Sequence, residues 1–128
     1  MDILTQLIDK FKKLNYQIED LHFWRPKTEG YITIKKHLEE FVIYLRYEVN
    51  DRKIEFESST TEELKVKQKK YENILKIIKL FLKKNNYHIL ESNINEIEVN
   101  NAKKIGAYII FGKEGKNYTI DIIDETQI

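Results

Sequence analysis

Apolar residues recur at helical spacing in ILTQLIDKFKKL, where Ile3, Leu4, Leu7, Ile8, Phe11 and Leu14 share one side and Asp2 stands at the N-cap position. The spacing predicts a short amphipathic helix. YQIEDLHFWRP then changes to a period of two, Pro26 and KTEG stop it, and YITIKK resumes with β-branched alternation, so two strands are expected. In LHFWRP, Leu21 and Phe23 share one parity and are assigned to the core, leaving His22 and Trp24 on the other side with Arg25 and Pro26 at the strand end.

EEFVIYLRYEVN alternates more strictly still. Phe41, Ile43, Leu45, Tyr47 and Val49 hold one parity, and Val42, Tyr44, Arg46 and Glu48 the other. The turn NDRK leads back into IEFES, and setting Val49 opposite Ile54 brings Tyr47 to Phe56, predicting a hairpin with both apolar faces on one side. TTEELKVKQKKYENILKIIKLFLKKNN opens on a capping box, Thr60 and Glu63, and runs Leu64, Tyr71, Ile74, Leu75, Ile78, Phe81 and Leu82 down one face of a long helix. Asn85 and Asn86 supply a helix stop, after which YHILES, NEIEV, IGAYIIF and YTIDIID read as strands. In the last hairpin, placing Phe111 against Tyr118 puts Ile109 opposite Ile120 and Ala107 opposite Ile122.

The expected fold class is α+β: a mostly antiparallel sheet of about 7–8 strands with a short N-terminal and a long central helix. One domain is expected over residues 1–128. The helix-to-strand junction FKKLNYQIED recurs as LKKNNYHILE, and FVIY before a hairpin recurs as YIIF before a hairpin, which divides the chain into two αββββ halves, 1–58 and 60–124. The competing account is that a composition rich in Lys, Asn and Tyr produces such echoes by chance.

Composition narrows the function classes. With 41% hydrophobic and 34% charged residues the chain has enough apolar material for a core beneath a charged surface. The absence of Cys removes disulfides, thiolate nucleophiles and cysteine-type zinc sites. No apolar run reaches membrane-helix length and the first residues lack the order of a signal peptide, so a cytoplasmic location without membrane contact is expected. A net charge of +1 supports no long-range attraction to nucleic acid. Heavy use of Ile, Lys and Asn over Ala and Arg is that of an AT-rich genome, such as a low-GC bacterium or its phages.

Candidate chemistry is sparse. His22, His37 and His88 lack a second ligand at metal spacing, and Glu39 and Glu40 beside His37 are ordinary in so charged a chain. Ser58, Ser59, Thr60 and Thr61 are explained by helix capping, and GKEGK lacks the spacing and following helix of a phosphate loop. The Lys side of the long helix (Lys65, Lys69, Lys76, Lys79, Lys83) reads as a solvated face. No catalytic residue, metal site or cofactor is expected.

The sheet face turned from the helices is less ordinary. Parity places Tyr44, Arg46 and Glu48 there with Tyr108, Ile110, Asp121 and Ile123, and LHFWRP adds His22, Trp24 and Arg25. Aromatic and acidic groups together suit a protein partner with a basic surface. The expectation is a non-catalytic binding protein using His22, Trp24, Arg25, Tyr44, Arg46, Glu48, Tyr108 and Asp121. Inhibitors of nucleic-acid enzymes, including toxin-immunity and anti-CRISPR proteins, are analogous in type. Two alternatives stand beside it: a single-strand nucleic-acid binder stacking bases on the aromatics, opposed by Glu48, Glu55, Glu57 and Asp121, and a homodimer that covers the face with itself.

Overall fold

The computed structural model describes residues 3–25, 29–37, 39–47, 62–99 and 102–124. Helix α1 (Ile3–Lys13) is followed by strands β1 (Gln17–Arg25), β2 (Glu29–Lys36) and β3 (Glu39–Tyr47). Helix α2 (Glu62–Lys84) then leads into β4 (His88–Val99), β5 (Ala102–Lys113) and β6 (Lys116–Asp124). All pairings are antiparallel in one sheet of order β1-β2-β3-β6-β5-β4, so the chain joins its two αβββ halves through β3 and β6 at the centre.

Among the described residues the sheet has six strands, fewer than the expected seven or eight. YHILES and NEIEV form one twelve-residue strand, β4, because the polar residues between them stay paired with β5 through Asn93↔Tyr108 and Asn95↔Gly106. The expected strand at 54–58 and its hairpin with β3, the Asp2 and Thr60 caps and the Ser-Thr cluster lie outside the described residues. Elsewhere the register agrees with hydrophobic parity: Phe111 faces Tyr118, Ile109 faces Ile120 and Ala107 faces Ile122. Their connection is the two-residue turn Glu114-Gly115, with φ of 54° and 80°, as the right-handed twist of hairpin strands requires.

Both helices pack on one face. Ile3, Leu4, Leu7 and Phe11 of α1 and Tyr71, Ile74, Ile78 and Leu82 of α2 close over Ile32, Ile34, Phe41, Ile43, Leu45, Ile109, Phe111, Ile120 and Ile122 in one cluster. These positions gain most of the hydrophobic free energy, because each removes an entire apolar side chain from water. Gly30 is needed where β2 passes β1: a Cβ there would lie 2.3 Å from the carbonyl oxygen of His22.

Leu21 and Phe23 depart from the core assignment, being 44% and 38% exposed. Their parity is as read, since Leu21 pairs with Ile32 and Phe23 with Gly30 on the helix side. However, β1 is a sheet edge, and the eleven-residue α1 leaves them open. Hydrophobic periodicity reports the face on which a residue lies and not how far along the sheet the helix layer extends.

Candidate functional site

One cross-strand row traverses the whole sheet on the face away from the helices: His22, Tyr31, Tyr44, Asp121, Tyr108 and Asn93, each Cα-paired with the next. Alternation explains it. Tyr31 lies between core-facing neighbours in β2, as Tyr44 does between Ile43 and Leu45 in β3, so their rings leave by the opposite face. Four residues proposed from sequence, His22, Tyr44, Tyr108 and Asp121, fall in this row, and the structure adds Tyr31 and Asn93. Tyr31 carried a legible signal, since it stands out of phase with Ile32 and Ile34.

The row is exposed at both ends, His22 and Asn93, and buried between them at Asp121 and Tyr108. His22 is exposed, Tyr31 and Tyr44 are half-buried, and their ring centroids are 5.8 Å apart for His22–Tyr31 and 5.7 Å for Tyr31–Tyr44. The rings thus form a ladder within ordinary aromatic contact distance. The Tyr31 hydroxyl donates to Asp20 Oδ2 at 3.1 Å, with Asp20 itself exposed.

Farther along, before the exposed Asn93, Tyr108 is 1% and Asp121 2% exposed, and Tyr108, Ile123, Tyr44 and Ile110 form a second apolar cluster. This corrects the expectation that Tyr108 and Asp121 present themselves to a partner: parity fixed their face, but burial on that face depends on the whole chain. The Tyr108 hydroxyl donates to Glu91 Oε1 at 2.7 Å. Burial above all, then the bond to Glu91 and that carboxylate's charge, hold it well above the ordinary tyrosine range. Thr119, also buried, has no hydrogen-bond partner for Oγ1 among the described residues.

No family model, curated protein or solved structure matches the chain. The site must therefore be judged on its own chemistry.

The remaining sequence candidates divide. Trp24 and Arg25 end β1, with a register irregularity between Phe23 and Arg25, and Arg46 pairs with Thr119 one step along β3 from Tyr44. Their side chains, and Glu48 altogether, lie outside the described residues. His37 forms the β2–β3 turn with φ of 56°, and His88 opens β4, so neither joins His22. Among the described residues no group of three or more His, Asp or Glu is arranged to hold a metal ion, and no helix is long and apolar enough to cross a membrane.

A separate buried hydroxyl fastens the sheet centre to α2. The Asp124 N–H donates to Tyr71 Oη at 2.9 Å, and burial pushes the Tyr71 hydroxyl up to about 12, with the Asp124 charge adding to the rise and the donated N–H opposing it. This contact is structural in kind, since it lies inside the layer between helix and sheet.

Proposed function

We propose that the protein is a non-catalytic binding protein that engages another protein through the His22 end of the aromatic row, with His22, Tyr31 and Tyr44 as contact rings and Asp20 as the charged rim. The observation that carries this reading is the ladder itself: adjacent rings at 5.8 and 5.7 Å, accessible at one end and backed by rigid sheet. Rings ordered beforehand lose little side-chain entropy on association, which is why Tyr serves so well at interfaces. Asp20, already oriented by the Tyr31 hydroxyl, favours a partner whose facing surface is basic. Trp24, Arg25 and Arg46 belong to the same reading through their places in β1 and β3. An inhibitor or immunity-type role against a nucleic-acid enzyme fits this chemistry, because such enzymes present basic surfaces to phosphate backbones.

The same ladder could stack bases, the arrangement used by sheet-faced RNA modules. Asp20 and Glu91 flanking the row oppose a phosphate backbone, so that reading ranks second. The test is capture of partners by the tagged chain with and without nuclease, followed by titration of the purified partner against wild type, Tyr31→Ala and Tyr44→Ala. A 1:1 protein complex weakened at least ~10-fold by either substitution, the scale of one interface hot spot, supports the proposal. Tight oligonucleotide binding at physiological salt, lost in the same variants, would replace it with base stacking.

A further inference from the structure

We infer that the chain is two copies of one αβββ unit joined in tandem, and that the β3–β6 seam is the two-fold dimer interface of that unit retained inside a single polypeptide. The inference stands apart from the binding reading and rests on registers. A constant sequence shift carries Ile32, Ile34 and Lys36 to Ile109, Phe111 and Lys113, and the same shift carries Phe41, Ile43 and Leu45 to Tyr118, Ile120 and Ile122. Under it, the pairs Ile32↔Ile43 and Ile34↔Phe41 become Ile109↔Ile120 and Phe111↔Tyr118, as observed.

The seam then behaves as an isologous interface. Tyr44 pairs with Asp121, its own counterpart, which puts that pair on the pseudo-two-fold axis. On either side the pairing is reciprocal: Val42 meets Ile123 and Arg46 meets Thr119, where Thr119 is the counterpart of Val42 and Ile123 that of Arg46. Residue i meeting j while the counterpart of j meets the counterpart of i is the rule of a two-fold contact.

Several irregular features coincide as well, and composition cannot arrange those, while the shift between Phe23 and Arg25 is peculiar to the first half. Helix α1 and β1 match α2 and β4 under a shorter sequence shift, the β4–β5 hairpin being longer than the β1–β2 hairpin. Under it the β1–β2 ladder skips at Glu19, between Ile18 and Asp20, and the β4–β5 ladder at the corresponding Leu90, between Ile89 and Glu91. Asn15 and Asn86 end the two helices with φ of 67° and 65°, and the next residue returns a hydrogen bond in each: Tyr16 N to Phe11 O and Tyr87 N to Leu82 O, both 3.0 Å. Lys36 Nζ donates to Leu14 O at 2.9 Å while lying 5.0 Å from the centre of the Tyr16 ring. Lys113 Nζ donates to Asn85 O at 3.2 Å and lies 5.0 Å from the centre of the Tyr87 ring. Finally, Tyr31 donates to Asp20 and Tyr108 to Glu91, the same clamp from matching positions.

The alignment also replaces one sequence echo. YIIF (108–111) corresponds to YITI (31–34), and FVIYLRY (41–47) to YTIDIID (118–124). The FVIY–YIIF match crosses non-equivalent strands, and the repeated unit has three strands rather than four among the described residues.

Equivalent segments should be exchangeable. In the full-length chain, residues 11–20 and 82–91 are exchanged with each other, and a control of unchanged overall composition exchanges 11–20 with 83–92, one residue out of register. Cooperative unfolding of the in-register variant within about 10 °C of wild type, with loss of the transition in the control, is the expected result. Equal behaviour of two folded exchanges, or folding of the control alone, overturns the inference. Should neither fold, the axis pair decides: Tyr44→Asp combined with Asp121→Tyr is expected to melt above Asp121→Tyr alone, and an additive loss instead overturns the inference.

Discussion

The two Tyr–carboxylate clamps have one geometry and opposite settings. Tyr31 reaches Asp20 from the half-open part of the row, whereas Tyr108 reaches Glu91 with its own side chain fully buried. The same bond contributes differently in the two places. A hydroxyl that can turn to water loses little when its partner is removed, while a buried one bears more of the desolvation cost. The C-terminal clamp is therefore set inside the fold, and the N-terminal one stands at the half-open surface on which the proposed binding reading rests.

That contrast can be broken most directly by truncation. Tyr108→Ala should cost about 3–5 kcal/mol, as removal of a buried aromatic does, against about 1 kcal/mol for Tyr31→Ala, both measured by urea unfolding. Equal losses would mean that the two clamps are equally structural, and the binding reading would lose its surface.

Alkaline titration sharpens the same difference on a smaller scale. The hydroxyls of Tyr71 and Tyr108 are raised in the folded protein, so folding favours their neutral forms. Their contribution is whole below the unfolded-state value near 10 and, for Tyr71, is lost as pH climbs to about 12. Stability should fall across that window, with phenolate absorbance of the buried rings rising only there or on unfolding. Tyr71→Phe should flatten the fall while costing about 1–2 kcal/mol near neutral pH, since the Asp124 N–H then lacks its acceptor.

Where the halves are alike, effects should match. Lys36→Met and Lys113→Met each remove a donor to a helix-end carbonyl and a cation over a tyrosine ring, and each should cost about 1 kcal/mol. A difference above about 1 kcal/mol between them would set the junctions apart. Smallest of all, Asn15→Gly and Asn86→Gly should both stay within about 0.5 kcal/mol of wild type, because glycine accepts the left-handed conformation these residues adopt. Thermal melts of the pair would show whether the two helix ends are interchangeable.

Much of this was legible along the chain. Alternation in FVIYLRY and YTIDIID places Phe41, Ile43, Leu45, Ile120 and Ile122 beneath the helices, and the Phe111–Tyr118 register follows from matching apolar residues across a hairpin. Asn-Tyr after a Lys-rich helix end marks both junctions, since Asn tolerates the left-handed turn and Tyr starts the strand. The single strand β4 was harder to read, because NINE interrupts hydrophobic alternation while the backbone ladder continues unaffected. Leu21 and Phe23 misled for a related reason: parity is a local property, and cover by a helix is not.

Side-chain period and turn chemistry act between neighbours, so the sequence by itself determined most of the described elements, the faces they present and the register of the β5–β6 hairpin. The placing of β6 beside β3 was decided only by tertiary structure, because that pairing joins strands distant in the chain whose apolar parity permits several orders. From that one contact come the alignment of His22, Tyr31, Tyr44, Asp121, Tyr108 and Asn93 in a single row and the burial of Asp121 and Tyr108 within it, neither of which any local pattern encodes.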